Sequence, residues 1–120
     1  MGIQNLSKDV LLADLPSEEP QIEDELKSLN EIIITKSDRD VVIDFSKTEI
    51  VTSSDLSNLL ALRALLREHG RQLILCSLSA PTKGIFTVAG LDAVFEFARD
   101  KYAALAAIQH TKSKPTPTPS

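Results

Sequence analysis

The chain has 120 residues, a net charge of −4 and one cysteine. This length suits a single domain whose core needs neither disulfides nor metals. The Lys and Arg residues are scattered, which argues against a nucleic-acid partner, and no apolar run approaches the length of a membrane span. Cys76 has no second cysteine to pair with, so we expect its thiol to be buried and reduced. We therefore expect a cytoplasmic protein with no membrane partner.

The first half of the chain predicts a strand, a helix and a second strand. Residues 10–15 form a short apolar run closed by a proline and are interpreted as a strand, with a short edge strand before it. The acids and proline of residues 17–20 suit a helix start. Residues 32–35 are β-branched and could form a strand, but the three-and-four spacing favours helix. Residues 41–45, interrupted only by Asp44, are typical of a strand buried on both faces.

The second half of the chain continues the alternation of helices and strands. A leucine stripe after residue 55 predicts a helix that ends at His69 and Gly70, where glycine adopts the left-handed conformation. The further predicted elements are a strand at 73–76, a helix at 79–90, a strand at 94–97 and a helix at 100–108. Ile85, Phe86 and Ala89 are expected to face inward on the first of these helices. On the last helix, Tyr102, Leu105 and Ile108 are spaced along one side.

Strands that alternate with helices predict an α/β fold built from crossover units. We expect one domain over residues 1–110, with an about four-stranded mixed sheet and helices packed mainly on one face. Residues 111–120 are rich in proline and threonine, cannot bury a core and predict a disordered tail.

The sequence offers no recognisable machinery for independent catalysis. His69 and His110 end helices among polar neighbours and are interpreted as exposed caps, not metal ligands. The sequence has neither a glycine-rich phosphate loop with a Lys-Ser or Lys-Thr pair nor a Gly-x-Ser-x-Gly elbow. We therefore expect a protein that is not an enzyme and that has no cofactor, metal or small-molecule substrate.

Three hydroxyl side chains, those of Thr52, Ser53 and Ser54, lie between the strand at 41–45 and the leucine-rich helix. A capping box explains them structurally, with Thr52 capping the helix and Asp55 reaching back to its N–H. The carboxyl end of a central strand is also where open α/β sheets place binding sites. Because a helix N-terminus favours added negative charge, the cluster could equally hold a phosphoryl group.

The order of these elements and their sequences resemble the STAS domain family, and within it the bacterial anti-sigma factor antagonists. The resemblance covers roughly residues 8–109. It rests on Val-Val-Ile-Asp-Phe-Ser at 41–46, Ile-Val-Thr-Ser-Ser-Asp-Leu at 50–56, His-Gly-Arg-Gln-Leu-Ile-Leu-Cys at 69–76 and Thr-Val-Ala-Gly-Leu-Asp at 87–92.

The resemblance implies a mechanism of partner switching. In such antagonists an anti-sigma factor that is a serine kinase phosphorylates the second serine of an Asp-Ser-Ser-Gly segment, which corresponds to Ser54, with Ser53 as second choice. The unphosphorylated antagonist binds the anti-sigma factor and frees the sigma factor. Phosphorylation releases the antagonist, and a serine phosphatase resets it. ATP and magnesium belong to the kinase, and Thr52 and Asp55 replace the aspartate and glycine of the family segment.

We expect the partner-binding surface to combine the hydroxyl cluster with its neighbours, namely Ser46, Lys47, Thr52, Ser53, Ser54, Asp55 and Asn58. Lys47 and Asn58 could also be ordinary solvated residues. Lys83 marks a second candidate surface, and Asp44 is interpreted as an acceptor of backbone hydrogen bonds. An alternative function is a structural or interaction subunit of a signalling assembly or a lipid-transport complex. The identity of the partner would distinguish the two functions.

Overall fold

A computed structural model describes residues 2–36 and 38–113, with side chains up to residue 109. In this part of the chain five strands form one sheet in sequence order. The strands are β1 (Ile3–Ser7), β2 (Val10–Asp14), β3 (Asp40–Asp44), β4 (Leu73–Cys76) and β5 (Glu96–Ala98). The helices are α1 (Gln21–Thr35), α2 (Ser53–Glu68), α3 (Ala80–Val88) and α4 (Lys101–Ser113).

The sheet is mixed, as predicted, because β1 pairs antiparallel with β2 while the other three pairs are parallel. It has one strand more than the predicted four, since the N-terminal segment forms an edge strand. The parallel strands are joined by helices, as crossover connections require. The predicted α/β fold is therefore confirmed.

The two faces of the sheet are covered unequally. Side chains alternate along β3, so that Val41 and Ile43 face the core beneath α1, α2 and α3. Val42 points to the opposite face, where Ala104 and Ile108 of α4 cover it. Three helices on one face and one on the other agree with the prediction that helices pack mainly on one face.

Phe86 of α3 lies at the centre of an aromatic cluster on the larger core. Its ring is fully buried and meets the rings of Phe45, Phe95 and Phe97 edge to face, with centroids 6.1, 5.7 and 5.5 Å away. Edge-to-face pairs of this kind add to the stabilisation from burial alone. The cluster fixes α3 against the end of β3, from which the loop to α2 departs.

The segments before and within α4 depart from the predicted boundaries. Residues 94–97 were expected to form a strand, but β5 begins at Glu96 because the N–H groups of Val94 and Phe95 donate to Leu91 O within a turn. Helix α4 continues to Ser113, so residues 111–113 are helical and not part of a tail. The predicted tail at 114–120 lies outside the described residues.

Two of the apolar side chains that the predicted helix spacing singled out are exposed. Tyr102 is 68% exposed, because α4 packs its smaller Ala104 and its Ile108 against the sheet. Ala89 follows α3 and is exposed, whereas Phe86 is buried and Ile85 half-buried. The helix ending at His69 is confirmed, with Gly70 in the left-handed conformation at φ 69°.

Cys76 is buried in β4, as predicted from its apolar surroundings. Burial, together with the nearby carboxylate of Asp44, raises the pKa of its thiol to about 12. The thiol therefore stays protonated at neutral pH and is a poor nucleophile or metal ligand.

Candidate partner-binding site

The N-terminus of α2 is formed by the predicted capping box. Thr52 Oγ1 accepts a hydrogen bond from Asp55 N at 3.2 Å, and Asp55 Oδ2 accepts one from Thr52 N at 3.1 Å. Together these bonds satisfy two backbone donors that would otherwise remain unpaired at the start of a helix. The structural interpretation of the hydroxyl cluster is thus correct for Thr52 and Asp55.

The loop that leads from β3 into α2 is held in place by buried threonines. Thr48 Oγ1 donates to Pro16 O at 2.6 Å, which fixes the loop to the β2–α1 connection. Thr82 Oγ1 of α3 lies 2.9 Å from Glu49 O and 3.3 Å from Thr48 O. Both threonines are almost fully buried, so the start of α2 is anchored to two other elements.

Ser53 and Ser54 take no part in the cap. Both side chains are exposed, and among the described residues neither hydroxyl has a hydrogen-bond partner within the chain. Their backbone N–H groups belong to the first turn, where no preceding helical carbonyl is available. Exposed hydroxyls next to such N–H groups can accept a phosphoryl group whose charge the helix N-terminus would stabilise.

Asp55 differs from the expected surface contact because its side chain is 0% exposed. The capping box turns its carboxylate back toward Thr52 and into the protein, so it cannot contact a partner directly. Among the described residues no hydrogen-bond donor pairs with its Oδ1. The carboxyl of Glu19 lies close enough to interact with this carboxyl group.

Asp55 shifts the pKa of the Glu19 carboxyl. Its hydrogen bond with Asp55, aided by partial desolvation and by the negative charge of Asp55, raises the pKa of Glu19 from 4.5 to about 6. This pair could not be predicted, because 36 positions separate Glu19 and Asp55 and only the packing of the β2–α1 connection brings them together. Two acidic side chains therefore lie beside each other below the start of α2.

Glu19→Gln should remove part of the pH dependence of stability. A carboxyl with a raised pKa binds more protons in the folded state between pH 4.5 and about 6, so stability falls as pH rises through this range. Because Glu19 is exposed and screened, we expect the variant to be more stable at pH 7 by less than about 1 kcal/mol, with no gain below pH 4.5. Urea unfolding at several pH values measures this difference.

Glu18→Gln is the matched control for this prediction, because Glu18 is an exposed neighbour on the same connection. Its unfolding free energy should follow that of the wild type at every pH. Parallel pH profiles for both variants would contradict the raised pKa of Glu19.

The remaining predicted residues occupy different positions around the cluster. Ser46 and Lys47 are exposed on the turn after β3, and Asn58 is half-buried one turn into α2. Asp44 accepts a hydrogen bond from Ser46 N at 2.7 Å, in the structural role predicted for it. Lys83 lies with its ammonium 4.8 Å from the centre of the Phe97 ring, away from the serines, so it marks a separate surface.

An apolar groove next to the serines was not predicted. It has a volume of about 560 Å³ and runs between the start of α2 and the exposed side of α3. Ile50 beside it is 72% exposed, and Val88 on its wall is 91% exposed. The groove is lined by Val51, Ser53, Leu56, Pro81, Gly84, Ile85, Val88 and Ala89. Apolar surface of this kind is characteristic of protein contact sites.

The described residues contain no group of three or more His, Cys, Asp or Glu side chains that could hold a metal ion. In the same residues, every helix is too short or too polar to span a bilayer. The chemistry of the site thus lies in two exposed serines, a helix N-terminus and an apolar groove.

These features define a small α/β domain that presents serine hydroxyls on a surface suited to protein contacts. The chain belongs to the STAS domain family, whose model matches residues 20–104. It is 29% identical over 76 residues to BtrV of Bordetella bronchiseptica, whose name assigns it to the anti-sigma factor antagonists. That match covers 63% of this chain and 66% of BtrV.

Solved structures with anti-sigma factor antagonist names share this fold. A STAS domain protein of this class from Planctomyces limnophilus has a TM-score of 0.77 and 22% identity, over 91% of this chain and 99% of that one. SpoIIAA in its unphosphorylated form has a TM-score of 0.75 and 15% identity, over 89% of this chain and 94% of that one. The predicted resemblance to the family is confirmed.

Proposed function

We propose that this chain is an anti-sigma factor antagonist that acts by partner switching. In the unphosphorylated state it binds a serine-kinase anti-sigma factor through the start of α2. Phosphorylation of Ser54 by that kinase releases the complex, and a serine phosphatase restores the hydroxyl. The chain itself carries out no catalysis in this cycle, and ATP and magnesium are bound by the kinase.

The observation that carries this proposal is the contrast between Ser54 and its neighbour Asp55. Ser54 is exposed in the first turn of α2, whereas Asp55 is buried in the capping box. A glycine stands at the Asp55 position in the family segment, so an outward carboxylate there would repel ATP phosphates and obstruct a kinase. Because the carboxylate points inward, it presents no such obstacle to the approach of a kinase to the Ser54 hydroxyl.

The apolar groove gives the proposed complex a source of affinity that does not depend on charge. Val88 is largely exposed on the groove that Ser53 also lines, and burying such side chains yields about 25 cal/mol per Å² of apolar surface. A partner that fills the groove would place its own surface directly over Ser53 and Ser54. The serines would then lie inside the contact area.

Release follows from the electrostatics of such an interface. A phosphoserine carries nearly two negative charges at neutral pH, and a contact packed around a hydroxyl cannot desolvate them without a cationic partner. The free antagonist tolerates the same phosphate, because the first-turn N–H groups and the helix dipole stabilise it. Phosphorylation therefore weakens the complex without requiring the fold to change.

The proposed acceptor can be tested with the cognate kinase from the native host. Wild type, Ser54→Ala and Ser53→Ala are incubated with the anti-sigma factor, ATP and magnesium, followed by intact mass measurement and peptide mapping. We expect wild type and Ser53→Ala to gain one phosphoryl group, and Ser54→Ala to gain none. Modification mapped only to another residue would contradict the assignment to Ser54.

A pull-down from the native host separates this function from the alternative subunit function. Recovery of a serine-kinase anti-sigma factor, lost when Val88→Glu places a charge on the groove wall, supports the antagonist. Val88 is 91% exposed, so this substitution should leave folding intact. Recovery of a membrane transporter or a large scaffold in place of the kinase supports a structural subunit.

A further inference from the structure

Three arginines converge on a recessed pocket at the far end of α2 from the serines. The pocket has a volume of about 210 Å³ and is lined by Arg63, Arg67, Arg71, Gln72, Leu73, Val94 and Glu96. It lies at the edge of the sheet where β4 and β5 begin, whereas Ser54 lies near the end of β3. An α-helix rises about 1.5 Å per residue, so Arg63 is about 14 Å from Ser54 along α2.

Arg71 lies beside a buried carboxylate. Asp40 is almost fully buried at the start of β3, and its Oδ2 lies 4.0 Å from Nη1 of Arg71. Its Oδ1 accepts a hydrogen bond from Gln72 N at 2.8 Å. The carboxylate of Asp40 therefore fixes the backbone at Gln72 and attracts the Arg71 guanidinium toward one side of the pocket.

Arg63 and Arg67 are available for a ligand. They lie one turn apart on α2, and among the described residues no carboxylate is within ion-pairing distance of either guanidinium. The negative end of the helix dipole can favour Arg67 in the last turn, but this effect fades before it reaches Arg63. Three guanidiniums face two carboxylates here, Glu96 on the pocket wall and Asp40 near Arg71, so a local excess of positive charge remains in a chain of net charge −4.

We propose that this arginine pocket binds a small phosphate-bearing anion. Guanidinium groups donate paired hydrogen bonds that match the oxygens of a phosphate, and a dianion compensates more of the arginine charge than a carboxylate does. The pocket is larger than a bare phosphate, and Leu73 and Val94 give it an apolar wall against which an organic group could lie. The site is separate from Ser54 and does not depend on the partner-switching function.

The test is an amide NMR titration at constant ionic strength and about pH 7.5, where a phosphate monoester carries about two charges. Inorganic phosphate and phenyl phosphate are the probes, and benzoate is the carboxylate control. We expect saturable shifts centred on Gln72, Leu73 and Val94 with at least one phosphate probe, and weaker binding of benzoate. The phosphate probe with the lower dissociation constant shows whether the pocket prefers free phosphate or a phosphate ester.

A pair of charge-matched double variants assigns the binding to the arginines. The double variant Arg63→Gln/Arg67→Gln should bind the phosphate probe about tenfold more weakly or worse, because two charged hydrogen-bond donors are lost. Lys27→Gln/Lys36→Gln removes the same charge from α1 and its end and should leave the affinity unchanged. Equal affinities in the two double variants, or no saturable shifts with either phosphate probe, would overturn the proposal.

Discussion

Ser54→Glu should weaken binding to the anti-sigma factor by about 100-fold or more, which corresponds to about 2.7 kcal/mol. The substitution places a carboxylate where the proposed interface packs around a hydroxyl, so the charge must lose its water without gaining a partner. Ser54→Ala removes only the hydroxyl and should bind within about threefold of the wild type. Calorimetric titration of each variant with the purified partner measures both effects.

The stability of the Ser54→Glu variant separates this effect from unfolding. An acidic side chain in the first turn of a helix is favourable by about 0.3–1 kcal/mol, so the melting temperature should stay level or rise. Ser28→Glu introduces the same charge at an exposed position of α1 and should leave binding unchanged. Equal affinities for wild type, Ser54→Ala and Ser54→Glu would rule out the proposed switch.

The fold could be predicted largely because its strands and long helices have strong sequence periodicity. Strand β3 is apolar on both faces, and the leucine spacing of α2 leaves few alternatives. The errors occur where short elements adjoin turns. Val94 and Phe95 are apolar because they pack in the turn after α3, and a single sequence cannot distinguish such residues from a strand.

The candidate site shows the same division between local and distant interactions. The Thr52 and Asp55 capping box was predictable because it depends on residues three positions apart. The burial of Asp55 follows from its role in that box. Its contact with Glu19 and the groove between α2 and α3 arise from packing between distant segments, which no local pattern encodes. The arginine pocket was not predicted either: Arg63 and Arg67 lie one turn apart on α2, but Arg71 follows the end of the helix and joins them only in the fold.

Burial of Asp55 also changes how the family segment should be understood in this chain. An aspartate in place of the family glycine suggests from sequence alone a charged obstacle beside Ser54. In the structure the side chain instead completes the helix cap, so its charge lies below the surface and next to Glu19. The departure from the family segment therefore affects local stability more directly than access to the serine.

Phe86→Ala should cause the largest loss of stability among single substitutions in α3. Phe86 is fully buried and contacts three other aromatic rings, so truncation removes apolar burial and leaves a cavity at the centre of the cluster. We expect a loss of about 3–5 kcal/mol, within the range for buried phenylalanines. For a domain of this size, the melting temperature should fall by on the order of 10–20 °C.

Val88→Ala on the same helix is the control, since Val88 is 91% exposed and its truncation leaves no cavity. Its unfolding free energy should stay within about 0.5 kcal/mol of the wild type. Because α3 forms one wall of the groove and Thr82 anchors the loop before α2, the Phe86→Ala variant should also bind the partner more weakly. A loss of stability below about 1 kcal/mol would mean that the ring cluster does not position α3.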